Sequence, residues 1–272
     1  MITASIVAYK TSDKDIQTVL QCACNSSIER LYLIDNSPTD DLRKYASYSP
    51  KIEYIYGHGN MGYGAAHNIG IRKSIALNSD YHVVINPDIL FETEIAGQLE
   101  QFMNNNKTIG FVMPKIVYPS GDVQLLCKLL PTPSDWIFRR FSPFKSQVVK
   151  MNEKYELRFT GYDKQMDVPS LSGCFMFLRT SVLEEVKGFD ERFFMYAEDV
   201  DLCRRIGEVS RTVFYPDLSV IHNYEKGSYK NNKLLMYHIK SAIQYFNKWG
   251  WVFDKKRKIT NRIVLDRLGF ED

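Results

Sequence analysis

A chain of 272 residues, 44% hydrophobic and 25% charged, can bury one large core, or one shared by two halves, without a disulfide or structural metal. Its formal charge of +3 is uneven: residues 230–267 hold ten Lys/Arg against two Asp, a local +8 that leaves −5 elsewhere. No nucleic-acid reading module accompanies that basic stretch, so nucleic acid is set aside as a partner; an anionic membrane surface, or a helix packed on the rest of the chain with a solvated basic face, suits it better.

In chain order, ASIVAYK (4–10) reads as a buried strand and residues 13–23 as a helix. RLYLIDNS (30–37) is a second strand, ending in Asp35 and turn formers, and a short helix near 39–47 leads to a third strand, KIEYIYG (51–57). A helix over 62–77, a strand YHVVINPD (81–88) stopped by Pro87, and a helix over 92–105 follow. β-Branched and aromatic strands spaced by helices imply an α/β architecture with a parallel, doubly wound sheet, whose ligands bind beyond the carboxyl ends of the strands. Residues 109–118 are strand-like, and 119–168, with four prolines, are irregular. A strand, short helix, loop and helix beginning near Glu198 occupy 170–209; strand pieces over 211–228 end near His222.

Several clusters carry chemistry. Gly57-x-Gly59-x-x-Gly62 has the spacing of a dinucleotide fingerprint, but two strands precede it and no acid sits correctly about 20 residues on, so NAD binding is disfavoured. Asp88, after Asn86-Pro87, is either a turn residue or an oxygen ligand for Mg²⁺ or Mn²⁺. Glu198, Asp199 and Asp201 fall in the first turn of a helix, where acids favour the macrodipole but also suit general-base work on a hydroxyl. Asp201 lies three residues before Arg204 and is placed to pair with it. His222 gains interest only if it shares a cleft with these acids. Of five cysteines only Cys22 and Cys24 are close, with no second pair to complete a zinc site. With no signal-peptide pattern and no apolar run of ~20 residues, a cytoplasmic location is expected.

Taken together, LIDNSPTD, GNMGYGAAHNIGI, VVINPDI and above all GCFMFLRTSVLEEVKGFDERFFMYAEDVDLCRRI resemble family 2 glycosyltransferases, in the rhamnosyltransferase-like branch, over roughly residues 3–228. The resemblance implies a GT-A fold: a Rossmann-like, mostly parallel sheet flanked by helices, with a smaller acceptor-side subregion and a helical C-terminal tail. Residues 1–115 would form the nucleotide-sugar half, 116–228 the acceptor half and 229–272 the tail. Ala8, Tyr9 and Asp35 would surround the donor's base; Asn60, Gly62, Asn68 and Asn86 would line the donor pocket. Asp88, with His222, would hold a divalent cation, Mn²⁺ or Mg²⁺, on the diphosphate, although Asn86 stands where many relatives carry an acid. Asp199 would be the catalytic base with Glu198 beside it, and Gly173 would lie on the acceptor side. The implied activity is inverting transfer of a sugar, dTDP-rhamnose being the favoured donor, to a hydroxyl of a glycan or lipid-linked acceptor in cell-surface polysaccharide synthesis, at the inner face of the membrane. A nucleotide-sugar-binding subunit without turnover is the alternative, with an NAD oxidoreductase third.

Overall fold

The computed structural model describes residues 1–142, 144–223 and 232–271, with the backbone alone at 137, 138, 140 and 141. The expected strand pieces beyond residue 223 and the expected boundary at 228 lie outside the described residues. Strands β1 (Ile2–Ala8), β2 (Arg30–Asp35), β3 (Ile52–Tyr56), β4 (Tyr81–Ile85), β5 (Ile89–Leu90), β6 (Ile109–Val117), β7 (Met166–Asp167), β8 (Phe175–Arg179) and β9 (Arg211–His222) form one sheet. Its order is β3-β2-β1-β4-β8-β6-β9-β5, with β7 on β9. β1, β2, β3, β4, β6 and β9 run one way; β8, β5 and β7 run against them. The sheet is therefore mostly parallel, and the GT-A expectation holds.

Helices α1 (Asp13–Asn25), α2 (Tyr63–Ala76), α3 (Ile95–Asn105), α4 (Pro133–Phe141), α5 (Lys145–Tyr155), α6 (Thr180–Val186), α7 (Glu198–Val209), α8 (Asn232–Trp249) and α9 (Lys255–Leu268) complete the chain. Their local causes are ordinary. In α1, Ser12 caps the Asp15 N–H while its hydroxyl donates to the Asp15 carboxylate, and Ile16, Val19, Leu20 and Ala23 make one buried stripe. The expected strand over 81–88 breaks at Asn86-Pro87 into β4 and β5, and the expected pieces after 211 are one strand with a bulge beside Pro114. The stretch expected to be irregular contains α4 and α5.

α2 lies unusually close to the sheet. A Cβ on Gly70 would stand 2.8 Å from the Ser5 Cβ, so glycine's helix cost of about 1 kcal/mol is accepted for close approach. The interface is polar: His67 bonds Ser5 (2.7 Å), Ser5 bonds His82 (2.8 Å), and the other nitrogen of His82 bonds Thr3 (2.8 Å). All four side chains are buried, and burial drives the pKa of both histidines down, that of His82 to about 3.

The tail packs on α7. Tyr245 and Phe246 of α8 are buried with Phe193, Ala197 and Val200. Asp201, with no solvent exposure, receives Arg205 (2.8 Å), Lys248 (2.6 Å) and the Trp249 indole N–H (2.8 Å). Its helical partner is thus Arg205 rather than the expected Arg204; Arg205 is also held by the Val186 and Gly188 carbonyls, while Arg204 turns to the tail. Arg204 instead reaches Asp254 in a two-bond pair (2.7 and 2.8 Å), both side chains 4% exposed, and stacks on Trp249. Among the described residues no helix is long and apolar enough to cross a membrane.

Removing one partner of a buried ion pair strands the other charge, so Asp254→Ala, which also removes the cap on α9, is expected to cost about 3–5 kcal/mol in urea denaturation. Lys256→Ala, which breaks the exposed pair with Glu208 (2.9 Å), is expected to cost less than about 0.5 kcal/mol in the same measurement.

Candidate active site

The carboxyl ends of β1, β2, β3 and β4 form one rim. Ala8 is buried at the end of β1, and Tyr9 beyond it is 46% exposed. Asp35 ends β2, buried; its carboxylate accepts the Ser37 N–H (2.9 Å) and the Tyr54 hydroxyl (2.8 Å), and burial followed by that contact raises the Tyr54 pKa. In the loop after β3, exposed Asn60 accepts the Gly62 N–H (3.2 Å) through its side chain. Gly62 has φ +92, and a Cβ there would lie 2.2 Å from the Phe194 carbonyl oxygen. That oxygen accepts the Tyr63 N–H (2.9 Å), fastening the start of α2 to the loop before α7.

Tyr63 then links the rim to the second half of the chain. Its hydroxyl donates to the Gly173 carbonyl (2.7 Å) and lies 3.0 Å from Asn86 Oδ1. The Asn86 N–H donates to the Cys174 carbonyl (2.9 Å). Asn68 stands apart from this group. It is buried in α2, where its amide donates to Phe189 O and Glu191 Oε1 (both 2.9 Å) and accepts the Phe189 N–H (2.8 Å). Its contacts are those of a clamp on the 188–191 turn.

Asp88 and His222 meet where β5 pairs with the end of β9. Asp88 Oδ1 is 3.3 Å from His222 Nε2, and His222 Nδ1 is 3.0 Å from Gln124 Oε1. Burial would lower the His222 pKa, but Asp88 and Cys174 outweigh it and carry it up to about 10. Asp88 Oδ1 is buried and makes no hydrogen bond among the described residues. A carboxylate oxygen facing an imidazole nitrogen suits a cation: neighbouring ligands of an octahedral ion bound at ~2.1 Å stand ~3.0 Å apart. Gln124 fixes the ring from behind, as outer partners of ligating histidines do. The pair therefore fits two ligands of a divalent ion. No group of three or more His, Cys, Asp or Glu among the described residues could hold one unaided, so remaining ligands would come from elsewhere.

The two acids at the start of α7 have different surroundings. Tyr196 (φ +69) and Ala197 (φ +66) adopt left-handed backbone, a strain of about 1–2 kcal/mol each that turns the chain sharply into the helix. Glu198 is buried, its Oε2 without a hydrogen bond among the described residues, and burial followed by Asp199 raises its pKa well above the usual range. Asp199 accepts the Gly173 N–H (3.1 Å) and its neighbour Val200's N–H (2.8 Å). Burial raises its pKa too, opposed by those two donors and by Lys128. Both acids line a cavity of about 200 Å³ with Lys128, Trp136, Ser172 and Tyr196. The arrangement can hold one protonated carboxyl beside one carboxylate able to accept a proton.

Asn86, Gly173 and Asp199 are thus joined in one hydrogen-bonded chain, Asp88 and His222 lie next to it, and Ala8, Asp35, Asn60 and Gly62 follow along the rim. Tyr63, Gln124 and Lys128 were missed. Tyr63 falls inside GNMGYGAAHNIGI with nothing in the sequence to single it out; Gln124 and Lys128 fall in the stretch with no periodic signal.

The sequence profile of Glycosyl transferase family 2 matches residues 4–187. The chain is 29% identical over 201 residues to the low-salt glycan biosynthesis hexosyltransferase Agl10 of Haloferax volcanii, spanning 74% of this chain but only 59% of that protein. It is 24% identical to the rhamnosyltransferase WbbL of Escherichia coli, over 86% of this chain and 85% of the relative. Among solved structures, the mannosyltransferase PcManGT of Pyrobaculum calidifontis, in complex with GDP-Man and Mn²⁺, superposes with a TM-score of 0.59 at 14% identity, covering 98% of this chain and 74% of that one.

The raised Glu198 pKa sets a sign for stability. A carboxyl that holds its proton more tightly when folded contributes fully below its unfolded pKa of about 4.5, and that contribution is lost as pH rises toward the folded value. Glu198→Gln cannot titrate, so the variant is expected to gain stability relative to the parent as pH climbs from 4.5 to 8. Paired urea titrations across that range check it; a constant gap between the proteins contradicts the assignment.

Proposed function

The chain belongs to glycosyl transferase family 2, and from that premise we propose that it transfers a sugar from a nucleoside-diphosphate sugar to an acceptor hydroxyl, with inversion at the anomeric carbon. The observation that carries this reading is the hydrogen-bonded run Asn86–Tyr63–Gly173–Asp199, which sets a carboxylate beside the end of β4. Ala8, Tyr9, Asp35, Asn60 and Gly62 bind the nucleotide side of the donor along the rim. Asp199, restrained by two backbone donors, takes the proton of the acceptor hydroxyl as that oxygen attacks the anomeric carbon. One base suffices, since a single displacement forms no covalent sugar intermediate. Glu198 keeps its proton and stays neutral, so the two acids do not compete for the hydroxyl. Asp88 and His222 would hold Mn²⁺ or Mg²⁺, the imidazole favouring Mn²⁺. A cation held there supplies charge neutralisation for the departing nucleoside diphosphate. The likeness to a rhamnosyltransferase supports dTDP-rhamnose as donor and cell-surface polysaccharide synthesis as the setting, with a glycan or lipid-linked acceptor.

The outer side of the tail supports work at the inner face of the membrane. Trp251, Val252 and Phe253, at the turn between α8 and α9, are 39%, 66% and 93% exposed, and Ile259 and Ile263 of α9 are also exposed. Lys255, Lys256 and Lys258 follow directly. Apolar residues at a turn flanked by lysines suit insertion among anionic headgroups, at ~1 kcal/mol per cation.

Two experiments test these assignments. Asp199→Asn is expected to lower transfer by about 10²–10⁴-fold with donor affinity retained, whereas Asp88→Asn is expected to weaken binding of the nucleoside diphosphate only when Mn²⁺ is present. Turnover of Asp199→Asn within tenfold of the parent would show the base to be misassigned, and full activity in excess EDTA would remove the metal. In flotation at about 0.1 M salt, a regime where charges are screened beyond ~10 Å, the protein is expected to rise with phosphatidylglycerol vesicles and not with neutral ones. Val252→Ser/Phe253→Ser is expected to reduce that binding; no binding by the parent removes the membrane element.

A further inference from the structure

The Tyr63 hydroxyl stands between two oxygens and has one proton to give. It lies 2.7 Å from the Gly173 carbonyl and 3.0 Å from Asn86 Oδ1. A carbonyl only accepts, so the proton belongs on Gly173, at the shorter distance. That leaves hydroxyl lone pairs toward Asn86. An amide oxygen repels them, whereas the amide nitrogen, brought to the same place by a half-turn of the side-chain end, donates to them at a normal length. Among the described residues the Asn86 side chain has no other hydrogen-bond partner, so nothing opposes that turn. Its backbone is fixed beside the same segment: the Asn86 N–H donates to the Cys174 carbonyl (2.9 Å), and Ile85 pairs with Phe175 across the sheet.

The surroundings agree. Burial first, then Glu198, Cys174, Asp199 and Asp88, drive the Tyr63 pKa well up, so the hydroxyl keeps its proton and already faces three carboxyl groups. A carboxylate at position 86 would have no hydrogen to offer and would compete with Gly173 for the tyrosine's. Gly173 is the residue through which this reaches the base. Its carbonyl is held by Tyr63 and its N–H holds Asp199 (3.1 Å). A Cβ there would stand 3.2 Å from the Asp199 Cβ and 3.5 Å from the Tyr63 oxygen, so the three are packed in direct succession.

We propose that Asn86 turns its amide nitrogen to the Tyr63 hydroxyl, keeps the tyrosine's proton on Gly173, and so acts as a positioning residue for Asp199. The inference rests on the reading of Asp199 as the base. Donation then runs one way, from Asn86 to Tyr63 to Gly173, and each bond polarises the next. An amide at a position where many relatives carry an acid thereby has a physical reason: residue 86 serves the base.

The test is a double-mutant cycle on the full chain, combining Asn86→Asp with Tyr63→Phe and reading kcat and donor KM. Tyr63→Phe is expected to lower kcat about tenfold with donor KM little changed, because Gly173 and Asp199 lose their support. Asn86→Asp is expected to cost about tenfold or more in the parent and less than about twofold further in Tyr63→Phe, where no hydroxyl remains to compete for. Asn86→Asp at or above parent turnover, as an acid serving only a cation predicts, overturns the proposal. So does an equal loss in both backgrounds, which marks a charge acting directly on the donor's phosphates, or a Tyr63→Phe variant that raises donor KM and leaves kcat alone. The same cycle in urea reads the Asn86–Tyr63 bond without turnover. Asn86→Asp is expected to lower the folding constant about tenfold in the parent and by much less in Tyr63→Phe; equal losses overturn the amide's assignment. Where Asn86→Asp does not fold, Asn86→Ala removes the donor without adding charge and is held to the same inequality. Asp199→Asn, assayed in parallel, separates the two readings: if it keeps turnover within tenfold, the base and the positioning role fall together, while the urea cycle still decides the bond.

Discussion

The approach of Gly62 to the Phe194 carbonyl is the contact on which the site depends. No side chain fits there, and the Tyr63 N–H that follows bonds the same oxygen. The start of α2 is thereby fixed against the loop that delivers Glu198 and Asp199. From that anchor Tyr63 reaches Gly173 and Asn86, tying the end of β4 to the segment before β8. Asn68, further along α2, holds the 188–191 turn from below. One helix therefore sets the distance between the strand-end rim and the carboxylates, although it supplies neither.

The two neighbouring acids show how burial divides labour. Successive residues in a helix point about 100° apart, so Glu198 and Asp199 meet different surroundings despite adjacent positions. Asp199 faces two backbone donors and the Lys128 ammonium, which oppose the rise that burial causes; Glu198 has only its own backbone N–H against burial and the neighbouring carboxylate, and its pKa is carried well above the usual range. His222 shows a related economy. Positive charge beside Asp88 is favoured there, and the imidazolium supplies it against the pull of burial.

Most of the parallel half was legible in the sequence because its strands are short apolar runs closed by turn formers, as at Asp35 and Pro87. The carboxylates at the head of α7 were legible for the same reason: acids cluster at a helix start. What escaped notice depended on contacts distant in sequence. α4 and α5 hid behind four prolines. Gln124 and Lys128 matter only because β9 and the Ser170 segment return beside them. The Asp201 pairing differs from the expected one because Arg204 is taken by Asp254 of the tail, and Lys248 and Trp249 reach Asp201 from some fifty residues away.

That last contact bears on modularity. The family profile ends at residue 187, before α7 begins, yet the first turn of α7 holds a carboxylate shut off from water and compensated partly by α8. The stretch that the family profile matches is thus shorter than the unit that folds. A recombinant that exchanged α7 between relatives without its cognate tail would carry Asp201 into an interface lacking its lysine and indole. Drift in the tail is thus coupled to α7 through charge matching.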